Sequence, residues 1–279
     1  MQINSHEISQ NSLRNTAPFL RWAGGKRWLT SKYNDLFPKS FNCYFEPFLG
    51  GASVFFHLQP KLASLSDINS DLICTYNAIK DDWMKVEELL FIHSKNHSSV
   101  YYYEMRSFQP IDNFEIAARF IYLNRTCWNG LYRVNSKGKF NVPIGTIKNV
   151  LRPEDSFKFL SESFKNVNFL VKDFELAIDQ AQEKDFIFAD PPYTVKHNFN
   201  GFIGYNENIF HWDDQIRLSD ALKRANARGC LIMLTNANHP SVKSLYENDF
   251  SIKELSRSST IAGNAKDRGC YEEIVVTNF

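Results

Sequence analysis

The chain has 279 residues, 43 % of them hydrophobic and 15 % aromatic, and a formal net charge of +1 at pH 7. That length and apolar content suffice for one α/β core with a smaller inserted module, and exclude disordered, collagenous and fibrous classes. No run approaches the roughly 20 apolar residues of a membrane helix, and Met1 to Ala17 is polar, without the apolar core of a secretory signal. A soluble cytoplasmic protein with no membrane partner is therefore expected.

The first strand-turn-helix unit runs from Cys43-Tyr44-Phe45 through Leu49-Gly50-Gly51 into an apolar helix around Val54-Phe55-Phe56. Lys61 to Leu65 reads as a second strand, closing on Ser66-Asp67-Ile68-Asn69. The middle differs: Asp71 to Lys95 and Phe114 to Leu123 carry helical patterns. Tyr132 to Val134 and Lys139 to Val142 then flank the turn former Asn135-Ser136-Lys137-Gly138, a hairpin signal. A third short apolar run, Asp185 to Ala189, stops at a double proline. Trp212 to Arg228 is amphipathic, Cys230 to Leu234 is apolar and followed by Thr235-Asn236-Ala237-Asn238, and Ile274 to Val276 ends the series as a strand. Short apolar runs alternating with helices predict a mostly parallel sheet covered on both faces. The expected division is 1–69 with 161–279 as one domain, and 70–160 as a helical and hairpin insertion.

The five cysteines, Cys43, Cys74, Cys127, Cys230 and Cys270, include no C-x-x-C pair, and the seven histidines show no H-E-x-x-H spacing. No disulfide framework and no metal site is expected. Charge is unevenly spread. From Ile116 to Pro153 there is no Asp or Glu, yet the segment holds Arg119, Arg125, Arg133, Lys137, Lys139, Lys148 and Arg152. Such a segment is either a solvated face or an electrostatic footprint for nucleic-acid phosphate.

Asp190-Pro191-Pro192-Tyr193 comes directly after the third strand. Two prolines fix φ and donate no N–H, so a carboxylate, a backbone carbonyl and an aromatic face sit on a stiff loop. In open α/β sheets ligands bind at that carboxyl edge. A planar amine such as adenine N6 needs this setting to act as a nucleophile, because its lone pair is delocalised into the ring. Asp190 and the Pro191 carbonyl can each accept one N6–H, and Tyr193 can stack on the base. The bland reading is that Pro-Pro ends a strand and Asp190 caps the next segment.

Earlier segments carry further signals. In Pro18-Phe19-Leu20-Arg21-Trp22-Ala23-Gly24-Gly25-Lys26 the glycine pair allows close backbone approach, Trp22 offers an aromatic face, and Lys26 a cation for a carboxylate. Phe45-Glu46-Pro47-Phe48-Leu49-Gly50-Gly51-Ala52 is a weak glycine signal by itself, and Asp67 could accept from ribose hydroxyls or cap a helix. Taken in order, these motifs resemble the Dam-like (D12 class, alpha-group) family of DNA adenine-N6 methyltransferases, from Pro18 to Phe279. The resemblance implies a Rossmann-like methyltransferase fold with an antiparallel last strand. It also implies S-adenosyl-L-methionine as cofactor, held by Trp22, Ala23, Gly24, Gly25, Lys26, Phe45, Glu46, Pro47, Phe48, Gly50, Gly51, Asp67, Asp173, Phe174 and Asp190. In that reading Gly50 and Gly51 let the methionine part of the cofactor lie against bare backbone.

The implied partner is double-stranded DNA, contacted by Arg21, Arg125, Trp128, Asn129, Leu131, Arg133, Asn135, Lys137, Lys139 and Pro143. Arg133 suits a guanine edge, Leu131 and Pro143 suit thymine methyls, and Trp128 and Asn129 would lie near the gap left by an extruded adenine. The expected target is GATC or a related short palindrome, although Trp128 stands where Tyr or Phe is common and Thr146-Ile147 where many GATC readers have Arg-Tyr. A monomer is expected, with a cognate restriction endonuclease as a separate partner in a restriction-modification setting. The competing readings are adenine-N6 transfer on RNA, glutamine methylation on protein, and a non-catalytic DNA-binding relative. Cytosine-N4 transfer fits less well, since those enzymes typically carry Ser in place of Asp190.

Overall fold

The computed structural model describes residues 18–135, 138–196, 210–258 and 270–279, so the expectations for Met1 to Ala17 and for Lys137 lie outside the described residues. The chain divides into two compact units. Met1–Thr30, Gly50–Gln59 and Asn69–Val171 form the first, and Ser31–Leu49, Pro60–Ile68 and Lys172–Phe279 the second.

The second unit is built on strands β1 (Tyr44–Glu46), β2 (Ala63–Asp67), β4 (Phe186–Ala189), β5 (Leu231–Ala237), β6 (Ser251–Ser258) and β7 (Cys270–Thr277). They lie in the order β2-β1-β4-β5-β7-β6. β1 pairs in parallel with β2 and β4, and β4 with β5, whereas β7 runs antiparallel to β5 and β6. This is the mostly parallel sheet with an antiparallel last strand that was expected. All four residues of β4 are buried, which is why its sequence is an unbroken apolar run rather than an alternating one. Helix α7 (Phe174–Ile178) and helix α8 (Trp212–Ala227) belong to the same unit. On α8 the buried side chains are Gln215, Leu218, Ser219, Ala221, Leu222 and Ala225, the spacing of one helical face. Its start is set by Asp214, whose Oδ2 accepts from the His211 N–H at 2.9 Å.

The first unit is largely helical. It comprises α2 (Ser53–Leu58), α3 (Ser70–Asn96), α4 (Ser99–Ser107), α5 (Asn113–Thr126), α6 (Phe157–Ser163) and strand β3 (Val167–Val171), after the short α1 (Arg27–Lys32) that spans the boundary. Helix α3 is interrupted at Asp82, whose φ of −151° is not helical. Helices α3 and α5 pack together. Tyr76 of α3 stacks on Phe169 at 5.0 Å, and its hydroxyl donates to the Gly50 carbonyl at 3.1 Å. This unit takes in Met1–Thr30, Gly50–Gln59 and Asn69–Val171, a division different from the expected 70–160 insertion. The expected hairpin is reduced to isolated bridges, Val134 with Phe140 and Cys127 with Ile144. Helices α4, α6 and α7 and strands β3 and β6 were not anticipated. Among the described residues no helix is long and apolar enough to cross a membrane.

Candidate active site

In the second unit the parallel ladder stops at Ala189, since the prolines after Asp190 have no N–H to continue it. β5 runs three residues past the apolar stretch, which brings Thr235 and Asn236, both fully buried, to the same sheet edge. Thr235 Oγ1 donates to Asp190 Oδ1 at 2.7 Å. Asn236 Nδ2 donates to Gln215 Oε1 at 2.9 Å, and Gln215 Nε2 donates onward to the Pro192 carbonyl at 3.3 Å. The Tyr193 hydroxyl donates to Glu273 Oε2 on β7 at 2.7 Å. Burial first, then the charges of Asp190 and Glu273, push the Tyr193 phenol well above the ordinary tyrosine range, so it stays protonated. The tetrapeptide is thus held by Thr235, Gln215, Asn236 and Glu273. Sequence reading missed all four. The available signal was the polar pair closing an apolar strand and a glutamine on the mostly apolar buried face of α8.

The neighbouring strand ends are acidic. Glu46, 3 % exposed, ends β1 and accepts from the Tyr44 hydroxyl at 2.9 Å. Burial, then Glu46 and Asp190, raise the Tyr44 phenol as well. Asp67 ends β2, and the cap of the following helix comes not from it but from Asn69, whose Oδ1 accepts from Leu72 N at 3.2 Å. Phe45 and Pro47 are buried. Phe48 stacks on Phe174 at 5.4 Å, and Phe174 sits in the apolar core. Asp173 caps α7 through Glu175 N at 3.0 Å and pairs with Arg217 at 3.0 Å. Three carboxylates, Glu46, Asp67 and Asp190, therefore stand at the carboxyl ends of β1, β2 and β4, adjacent in the order β2-β1-β4. That set of acceptors, with aromatic faces in the same unit, fits a ligand bearing positive charge, hydroxyls and a flat ring.

In the first unit Trp22 stacks on Tyr132 at 5.7 Å and on Phe120 at 6.4 Å. A Cβ on Gly50, whose φ is +45°, would come within 2.7 Å of the Trp22 ring. Close packing by Trp22 is thus a reason for glycine at position 50 that needs no cofactor. Gly24 has φ +79°, Lys26 is buried with Nζ donating to the Gly24 carbonyl at 2.8 Å, Gly25 N donates to the Trp22 carbonyl, and Ala23 is exposed.

Most residues expected to face DNA are accessible. Arg21, Trp128, Asn129, Arg133, Asn135, Lys139 and Pro143 are exposed, and Leu131 is half-buried. Arg133 Nε donates to Asn141 Oδ1 at 2.8 Å. The Pro143 carbonyl accepts from Trp128 N, and Asn135 Oδ1 from Lys139 N. Arg125 is a correction. It is 0 % exposed, its guanidinium forks onto Asp155 and donates to the carbonyls of Phe19 and Val150. It is a buried ion-pair residue, not a phosphate contact, because desolvating a guanidinium demands a carboxylate partner.

Residues 22–261 match the profile of the D12 class N6 adenine-specific DNA methyltransferase family. The chain is 38 % identical over 281 residues to a Type II methyltransferase, M1.LlaDCHI, of Lactococcus lactis subsp. cremoris, covering 98 % of this chain and 99 % of that one. It is 35 % identical to the Type II methyltransferase M.MjaIII of Methanocaldococcus jannaschii, over 93 % and 98 % of the two chains. A DNA adenine methylase of Escherichia coli is 31 % identical over 94 % of this chain and 95 % of its own. With a matched profile across most of its length and relatives aligned nearly end to end, the chain belongs to the D12 class of N6 adenine-specific DNA methyltransferases.

Proposed function

We propose that the enzyme methylates adenine N6 in duplex DNA with S-adenosyl-L-methionine, acting on an adenine extruded from the helix. The observation that supports this most directly is the clamped Asp190, whose Oδ1 accepts from Thr235 at 2.7 Å. A carboxylate pinned by a buried donor stays an acceptor with fixed direction, which is what a flat amine requires. Asp190 and the Pro191 carbonyl accept the two N6–H groups, so the nitrogen lone pair localises and positive charge growing on N6 is stabilised. Tyr193 holds the plane of the base, its own hydroxyl tied back to Glu273. The cofactor supplies an electrophilic methyl group when bound. Phe45, Glu46, Pro47, Phe48, Asp67, Asp173, Phe174 and Asp190 of the second unit are assigned to it from the family resemblance. Trp22 through Lys26, with Gly50 and Gly51, take that role on the same ground.

On the first unit, Arg133 is assigned to a guanine edge, Leu131 and Pro143 to thymine methyls, and Trp128 and Asn129 to the space left by the flipped adenine. Arg21, Asn135, Lys137 and Lys139 complete the DNA contacts, so 70–160 acts as the recognition module and the flanking chain as the catalytic part. GATC or a related palindrome is the proposed target, with a monomer acting alone or beside a separate restriction endonuclease in the cytoplasm. The test offers duplex DNA, RNA and peptide in parallel with labelled cofactor, and then maps N6-methyladenine in DNA from expressing cells. Label confined to RNA or peptide defeats the proposal, and methylation at an unrelated motif defeats the GATC assignment.

A further inference from the structure

Arg21 and Arg152 line one open groove of about 300 Å³ in the first unit, with Ile147, Asn149, Pro153 and Glu154. The two arginines are far apart in sequence, yet consecutive residues of α5 place both. Asn124 grips the backbone of Arg21 from both sides: its Oδ1 accepts from Arg21 N and its Nδ2 donates to Arg21 O, each at 2.8 Å. Arg125 next to it forks onto Asp155, and Asp155 Oδ2 also accepts from Arg152 N at 2.7 Å. Arg125 Nη1 donates to Val150 O at 2.7 Å as well, pinning the start of the same loop. A buried ion pair therefore serves as the footing for an accessible arginine.

The arrangement holds like charges together. Burial, then Arg125 and more weakly Arg21, pull the Arg152 pKa below the ordinary arginine range. Among the described residues neither the Arg21 nor the Arg152 side chain forms an ion pair, and Glu154 is the one carboxylate lining the groove. With Asp155 neutralised by Arg125 beneath the loop, Arg21 and Arg152 beside Glu154 leave an excess of positive charge. Their planar forks match phosphate oxygens, and a preorganised pair loses little entropy on binding.

We propose that this groove is a clamp for a DNA backbone phosphodiester, in which Arg152, outside the recognition hairpin, acts together with Arg21. The inference rests on duplex DNA being the substrate. A backbone clamp positions the duplex without reading sequence, so its loss should be felt equally on every sequence. The experiment measures binding of the full-length protein to a target duplex and an unrelated duplex across a salt series, for wild type, Arg152→Gln, Arg152→Lys and Glu154→Gln. Arg152→Gln should weaken both duplexes alike and make the slope of log K against log salt shallower by about one. Arg152→Lys, which keeps the charge, should restore that slope. Glu154→Gln should tighten binding to both duplexes, and it tests the groove even where Arg152→Gln folds poorly. An unchanged salt slope in Arg152→Gln, a loss confined to the target duplex, or unaltered affinity in Glu154→Gln overturns the clamp. Wild-type protein that fails to bind either duplex overturns the DNA reading itself, not the assignment of Arg152.

Discussion

The Tyr193 hydroxyl donates to Glu273 Oε2 at 2.7 Å, joining the loop after β4 to a strand 80 residues later in the chain. Glu273 is 5 % exposed, so the bond ties the aromatic ring of the loop after β4 to a buried carboxylate on the antiparallel strand. Removing only the hydroxyl takes one donor from that carboxylate. Tyr193→Phe should lose about 1–3 kcal/mol of stability in urea unfolding while keeping a ring for the base. Tyr193→Ala should lose methyl transfer far more severely than Tyr193→Phe. Equal turnover in the two variants would dismiss the stacking role.

Asp190→Ala should abolish methyl transfer and leave DNA affinity largely intact, because the acceptor is lost while the phosphate contacts remain. Thr235→Val is subtler. It removes the donor at 2.7 Å from Asp190 Oδ1 and keeps the side-chain shape. A hydrogen bond to a charged group contributes about 1.5–3 kcal/mol, so kcat should fall roughly 10- to 100-fold with little change in DNA affinity. Single-turnover methylation and a binding titration separate the two effects, and a wild-type rate for Thr235→Val would show that Asp190 needs no such anchor.

Gly50→Ala meets two obstacles, a φ of +45° and a Trp22 ring 2.7 Å from the new Cβ. The left-handed backbone alone costs about 1–2 kcal/mol for a residue with a Cβ. Thermal unfolding should show that loss, and displacement of Trp22 should alter its fluorescence. A variant as stable as wild type with unchanged emission would mean that the ring yields without cost.

Arg125→Ala should destabilise the protein by about 3–5 kcal/mol, the usual result of removing one partner of a buried ion pair. The reason is Asp155, whose side chain is 9 % exposed in the intact pair and would lose its cation. If the variant stays stable and loses only DNA affinity, Arg125 belongs with the phosphate contacts after all.

His93 stacks on Tyr122 at 4.9 Å, with Nδ1 2.7 Å from the Tyr101 hydroxyl. Burial first, then Arg119, lower its pKa from 6.5 to about 4. Between those values the unfolded chain takes up a proton that the folded protein refuses, so stability falls as pH drops from about 6.5 to about 4 and levels off below. The loss from this group is at most about 3 kcal/mol. His93→Gln should flatten that portion of the stability profile, read from urea midpoints at several pH values. An unchanged slope would assign the acid sensitivity to other groups.

Much of the architecture was legible because it depends on local pattern. The unbroken apolar runs ending at Ala189 and at Leu234 marked central parallel strands, and the Trp212 helix showed its buried face by spacing. β6, Ser251–Ser258, was not legible: its polar SIKELSRS composition has no apolar run, and pairing with β7 is what makes it a strand. Arg125 was misassigned for a related reason. A residue in a segment without acids looks accessible to phosphate, and the partner that buries it, Asp155, lies just beyond that segment.

The sequence by itself determined that Asp190-Pro191-Pro192-Tyr193 presents a carboxylate, a free carbonyl and an aromatic ring on a stiff strand end, since side-chain type and proline geometry suffice for that. Only the tertiary structure decided what holds that loop and which cations face outward. Thr235, Gln215 and Glu273 reach it from two strands and a helix distant in sequence, and Asn124 and Arg125 place Arg21 and Arg152 across the chain. Such contacts arise when folding brings remote side chains within hydrogen-bond distance, a relation that no local pattern encodes.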